Sequence, residues 1–122
     1  MERYEVFSLQ GKDIMYIDFS GLVEVEEFSR VVEIIKPAIA SHPEGSLYTI
    51  TNLEGVRIDT LYKEIFIKYV EHNKPYVKRG VLIGLDGVKK MIVTTIIKLG
   101  GREKFHVAFT KEKAIEWILQ QG

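Results

Sequence analysis

The residues here with the means to make or break bonds are few and scattered. His42, His72 and His106 never recur at i, i+3 or i, i+4, so no helix brings two imidazoles to one metal. Cysteine is absent, which removes thiolate nucleophiles, zinc–thiolate sites and disulfides together. No Gly-x-Ser-x-Gly elbow occurs. Asp13 and Asp18 stand an odd number of positions apart along one strand-like run, hence on opposite faces, and make a poor acid–base pair. Asp18, beside Ser20 and Gly21, ends that run where α/β sheets bind ligands, although entry to a helix explains it as well. These residues predict no metal, no cofactor and no enzyme.

What remains is charge and hydroxyl at helix starts. Arg57, Asp59 and Thr60 precede or open a helical pattern, where unpaired backbone N–H groups and the positive end of the dipole favour a phosphate. Arg57, three residues before Thr60, could add a charge-assisted bond. The plainer reading is that Asp59 and Thr60 simply cap the helix. Lys89 and Lys90 fall in the first turn of a later helical pattern, where the dipole disfavours cations. A bound phosphate or headgroup would account for them, with Gly84 and Gly87 allowing close backbone approach. Gly84-Leu85-Asp86-Gly87 matches neither the dinucleotide fingerprint nor the P-loop, and surface lysines tolerate such positions at small cost.

Apolar surface is the other resource. On a helical wheel Leu61, Ile65, Tyr69, Tyr62, Phe66 and Val70 cover about half the circumference, more than one buried face requires. Leu61, Tyr62 and Phe66 are therefore candidate ligand or partner contacts, with Tyr62 and Phe66 the first choice for an exposed pocket wall. Coverage by neighbouring helices as ordinary core is the alternative.

These positions need elements to hold them. Residues 3–9 and 13–19 alternate around the turn Gln10-Gly11-Lys12-Asp13 and predict a β-hairpin. Phe28, Val31, Val32, Ile35 and Ile39 predict a helix over 24–41, which Pro37 would kink or shorten. Residues 47–53 read as a strand and 59–72 as a helix carrying Leu61, Ile65 and Tyr69 on one face; residues 76–84 read as a buried strand. The segment after Asp86-Gly87 could return as a strand through its β-branched run. Helix is preferred, because Val88, Ile92, Ile96 and Leu99 share a stripe and Gly100-Gly101 can end it. A strand over 104–109 and a helix capped by Thr110, burying Ala114, Trp117 and Ile118, close the chain. The fold class expected is α/β: one mixed sheet of about five strands in ββαβαβαβα order, with helices packed on it.

With 122 residues, 46% of them apolar, the chain is expected to be one domain able to hold a core without staples. The opening Met1-Glu2-Arg3-Tyr4-Glu5 lacks a signal-peptide pattern and no apolar run approaches a bilayer span, so a cytoplasmic location is expected. Seventeen basic and seventeen acidic residues cancel, which argues against nucleic acid as a partner. The cancellation is uneven: residues 1–60 carry five Lys and Arg against eleven Asp and Glu, and residues 61–122 twelve against six. Opposite halves permit a salt-sensitive homodimer, and the basic stretch from Lys74 to Lys104 would attract an anionic partner or headgroup plane; the bland reading is a solvated face.

The element order resembles the STAS family, named for sulfate transporters and anti-sigma factor antagonists, and most closely its small free-standing bacterial STAS or Sec14-like branch. The similarity spans nearly the whole chain. It is carried by the stretch from Leu47 to Thr60 (LYTITNLEGVRIDT), by Gly84-Leu85-Asp86-Gly87-Val88-Lys89-Lys90-Met91, and by the end from Phe109 to Trp117 (FTKEKAIEW). The resemblance implies a non-catalytic regulatory module in which a hydroxyl after an aspartate at the second-helix start is phosphorylated to control a protein partner. Thr60 is the residue at that place, although Asp59-Thr60-Leu61-Tyr62 replaces the family's Asp-Ser-Ser-Gly. The Sec14-like branch implies instead a small apolar or lipidic ligand, or a membrane surface.

Overall fold

The computed structural model describes residues 3–57, 59–101 and 105–121. Its first two strands, β1 (Tyr4–Leu9) and β2 (Lys12–Asp18), pair antiparallel from Tyr4 opposite Ile17 to Leu9 opposite Lys12. Gln10 and Gly11, at φ 50° and 77°, make the reversal, a conformation that a type I′ two-residue hairpin loop requires at both positions. Next come α1 (Val25–Ala40), β3 (Leu47–Asn52), α2 (Thr60–Asn73), β4 (Val77–Ile83), α3 (Gly87–Leu99), β5 (His106–Val107) and α4 (Lys111–Leu119).

The architecture is α/β, a single mixed sheet in the order β1-β2-β3-β4-β5 with only β1 antiparallel. Parallel strands added one after another in one direction through right-handed crossovers place their helices on one face. Accordingly α1, α2 and α3 share one core with Met15, Ile17, Leu47 and Leu82. The other face carries α4, whose Ala114 and Ile118 pack on Ile14, Tyr48, Ile50, Val81 and Ile83. Trp117, expected in that core, is only half-buried and stacks on the His106 ring at 4.5 Å.

Three helices depart from the expected detail. α1 runs on through Pro37 to Ala40 rather than stopping short, and Ser41 N–H closes onto the Pro37 carbonyl. In α2 the buried face is Tyr62, Phe66, Tyr69 and Val70; Leu61 is exposed and Ile65 half-buried, because the rings of Phe19, just after β2, and Phe28 of α1 draw the helix round by about one residue. Segment 87–99 is helical, as preferred, but it buries Val93, Ile96 and Ile97 while Val88, Ile92 and Leu99 face outward. Gly100 explains the rotation: a Cβ there would lie 2.7 Å from Val70 Cγ1, so the Val93–Ile97–Gly100 side is the one that can close on α2. The last strand is only two residues long, and its predicted start at Lys104 lies outside the described residues. No described helix is long and apolar enough to cross a membrane.

Candidate functional site

Strand β3 has neighbours on both sides and helices over both faces, so its side chains should be large and apolar throughout. On the α4 face they are, with Tyr48 and Ile50. On the other face Leu47 is followed by Thr49 and Thr51, each 7% exposed, and across the ladder Thr49 pairs with Gly80, which has no side chain. Three small or polar residues in the middle of a sheet leave space that α2 does not fill. A cavity of about 60 Å³ results, floored by Thr49, Thr51, Gly80 and Leu82 and roofed by Phe66, Tyr69, Val70 and Ile97. Asn73, Lys74, Val77 and Phe105 form its rim, and of these Lys74 is exposed while Asn73 and Phe105 are half-buried.

Tyr69 gives the cavity its chemistry. The ring is edge-on to Phe19 at 5.5 Å and the residue is 2% exposed. Its Oη is the buried side-chain polar atom that lacks a hydrogen-bond partner among the described residues. Burial pushes the phenol well above its ordinary range; Asn73, one turn on, offsets part of this but does not reach hydrogen-bonding geometry with Oη. An unpaired buried hydroxyl costs on the order of 1–3 kcal/mol, so a native protein that keeps one calls for a partner, water or ligand. At the rim the Lys74 ammonium lies against the end of α3, with Nζ 3.2 Å from where a Cβ on Gly101 would stand.

Tyr62 and Phe66, the expected exposed wall, are not a surface: they are 1% and 3% exposed. Tyr62 stacks on Phe28 at 4.3 Å and its hydroxyl donates to the Leu22 carbonyl. Its pKa is pushed up to about 12 by burial first, and then by the carboxylates of Asp59, Glu27 and Glu24. Phe66 packs against Phe28 and Tyr69, and it lines the cavity under α2 rather than the outer face of the helix. Leu61 is 57% exposed in a shallow groove between α1 and α2.

At the start of α2, Asp59 Oδ1 accepts from Tyr62 N–H at 3.1 Å and its carbonyl accepts from Lys63 N–H at 2.9 Å, so capping is established. Arg57 reaches Asp59 Oδ2 at 3.8 Å, and Thr60 is exposed. Lys89 and Lys90 open α3, the former half-buried and the latter exposed, and Asp86 before them makes no side-chain cap bond. Both helix starts lie at the same sheet edge, since β3 and β4 are parallel neighbours. Gly84, at φ 80°, carries its loop to within 2.6 Å of Glu54 N as measured from a notional Cβ. The structure therefore brings the two loops together while leaving Thr60 and the lysines on separate helices. Among the described residues no group of three or more His, Asp or Glu is placed to hold a metal.

Sequence reasoning missed Thr49, Thr51, Gly80, Tyr69 and Lys74 as a group. The signal was a pair of threonines at i, i+2 on the inward face of a strand otherwise rich in large residues. No family model matches the chain, and no curated protein matches it either.

Proposed function

We propose that this chain is a cytoplasmic, non-catalytic binding module of STAS-like fold, acting on a small amphiphile held in the cavity under α2. The carrying observation is the orphaned Tyr69 hydroxyl beside a void floored by Thr49, Thr51 and Gly80. Most binding cavities are apolar with a few placed polar groups, and this one has that make-up. About 60 Å³ accommodates a few waters or the end of a short chain, not a whole lipid, so a longer molecule would have to leave past Lys74. The ligand class is thus a small alcohol, carbonyl compound or acid, its polar group paired with Tyr69 Oη.

The alternative, a partner switch thrown by phosphorylation of Thr60, has an exposed hydroxyl in its favour. Asp59, Glu24 and Glu27 act on the same helix turn, and their charge would oppose a phosphate that Arg57, engaged with Asp59, only partly offsets.

Titration with 1-hexanol, followed by methyl NMR, tests the cavity reading. Val70, Leu82 and Ile97 should shift, Ile118 on the opposite face should not, and Thr51→Ile should suppress the response. Organic extraction of purified protein should yield a small amphiphile that native mass spectrometry sees bound. An apo mass together with no selective methyl shift would overturn the proposal.

A further inference from the structure

α3 presents a second apolar face that nothing in the fold uses. Val88 and Met91 are 71% and 69% exposed, and Ile92 and Leu99 follow on the same side, one and three turns along. The helix Gly87–Leu99 carries three lysines and no acidic residue. At 100° per residue Lys98 stands next to Met91 at one border of the apolar strip and half-buried Lys89 lies beyond Ile92 at the other, while Lys90 falls on the far side of the helix; none of the three lysines forms an ion pair with a described residue. Phe109, 95% exposed, follows β5, the parallel neighbour of β4, and so lies at the sheet edge from which α3 starts.

We infer that this face is a docking surface for an anionic lipid bilayer. A helix lying in the headgroup plane needs apolar side chains on one side and long cations beside them, whose stems lie along the acyl boundary while the ammonium groups meet lipid phosphates. Val88, Met91, Ile92 and Leu99 supply the first, and Lys98 with Lys89 at the two borders of the strip the second. Phe109 would enter the same boundary. Charge selects this occupant over a symmetric pairing of two copies through this face, because two α3 faces brought together would set three lysines of each against the other with no carboxylate on either helix to neutralise them. The surface is on the side of α3 turned away from Ile97, which roofs the cavity, and does not depend on the reading given to that cavity.

Co-sedimentation with vesicles tests this directly. The full chain should bind vesicles of phosphatidylcholine mixed with phosphatidylglycerol, bind phosphatidylcholine alone at least about tenfold more weakly, and release as salt rises. Lys98→Glu should weaken binding about fivefold or more, from the worth of one cation near an anionic surface, and Lys90→Glu, on the far side of the helix, should weaken it less. Val88→Glu and Met91→Glu should abolish it with the melting temperature unchanged, since both side chains are mostly in solvent. Thr51→Ile, which addresses the cavity, should bind vesicles as the parent does. No binding to the anionic vesicles, or binding that Met91→Glu leaves intact, overturns the inference. So does light scattering that shows a dimer abolished by Met91→Glu without vesicle binding, an outcome that assigns the face to a second copy.

Discussion

Two tyrosines seven residues apart on one helix face make the instructive contrast in this molecule. Tyr62 and Tyr69 are equally hidden, at 1% and 2% exposed, and both phenols are pushed upward by burial. Tyr62 is closed on every side: its ring stacks on Phe28 and its hydroxyl is taken by the Leu22 carbonyl. Tyr69 has ring neighbours in Phe19 and Phe66, yet its hydroxyl ends beside a void with nothing bonded to it. The first arrangement is how a protein stabilises itself. The second leaves a buried hydroxyl that calls for an explanation, and under the function proposed above that explanation is a ligand.

The largest expected effect comes from removing the closed member. Tyr62→Ala should cost about 3–5 kcal/mol, the range for deleting a buried aromatic ring, and denaturant unfolding would measure it. Tyr69→Ala should fall at or below the lower end of that range, since part of its ring borders empty space and has fewer packed atoms to lose. Equal losses would mean that the void is filled, and the contrast between the two residues would collapse.

Alkali gives a second, somewhat smaller effect, which tests what the two tyrosines share. Below pH 10 both phenols are neutral in the folded and the unfolded chain, so this contribution to stability is fully present. Above pH 10 the unfolded chain ionises while the folded one does not. For Tyr62 stability should therefore fall as pH rises from 10 to about 12, by on the order of 2–3 kcal/mol in total. Tyr69 acts in the same direction from the same starting point. Tyrosinate absorbance from these two residues should appear together with loss of far-ultraviolet circular dichroism; appearance near pH 10 in a chain still folded would show that they are accessible.

The fold was legible because its periodicities are strong. The hairpin followed from Gln10-Gly11 between alternating runs, and each helix from its apolar spacing and capping residues such as Asp59 and Thr110. What was not legible is which side of an apolar-rich helix turns inward. α2 and α3 carry apolar residues around much of their circumference, so wheel arithmetic allows several faces; contacts far away in sequence, Phe28 with Tyr62 and Gly100 with Val70, make the choice. For the same reason the candidates Tyr62 and Phe66 vanished into the core while Leu61 stayed outside. The cavity was hidden by a different cause. Thr49 and Thr51 read as good strand formers, and only the pairing of β3 with β4 shows that Gly80 stands opposite Thr49 and that nothing else fills the gap.

The finest test removes one oxygen from each tyrosine. Tyr62→Phe leaves the Leu22 carbonyl without the donor that the phenol supplied, and a buried acceptor so stranded costs about 1–3 kcal/mol. Tyr69→Phe strands nothing that the described structure pairs with it, so in ligand-free protein its cost should be within about 0.5 kcal/mol of zero, or the change should stabilise, because an unpaired hydroxyl is replaced by hydrogen in an apolar setting. Adding the amphiphile should reverse the order of interest: the parent gains stability by mass action, whereas Tyr69→Phe gains less because the ligand's polar group then meets no partner. Thermal melts of the two variants, with and without 1-hexanol, read all four values. A Tyr69→Phe penalty as large as that of Tyr62→Phe in the absence of alcohol would mean that the Tyr69 hydroxyl is already satisfied by bound water, and the site would then be a hydrated core defect rather than a seat for a ligand.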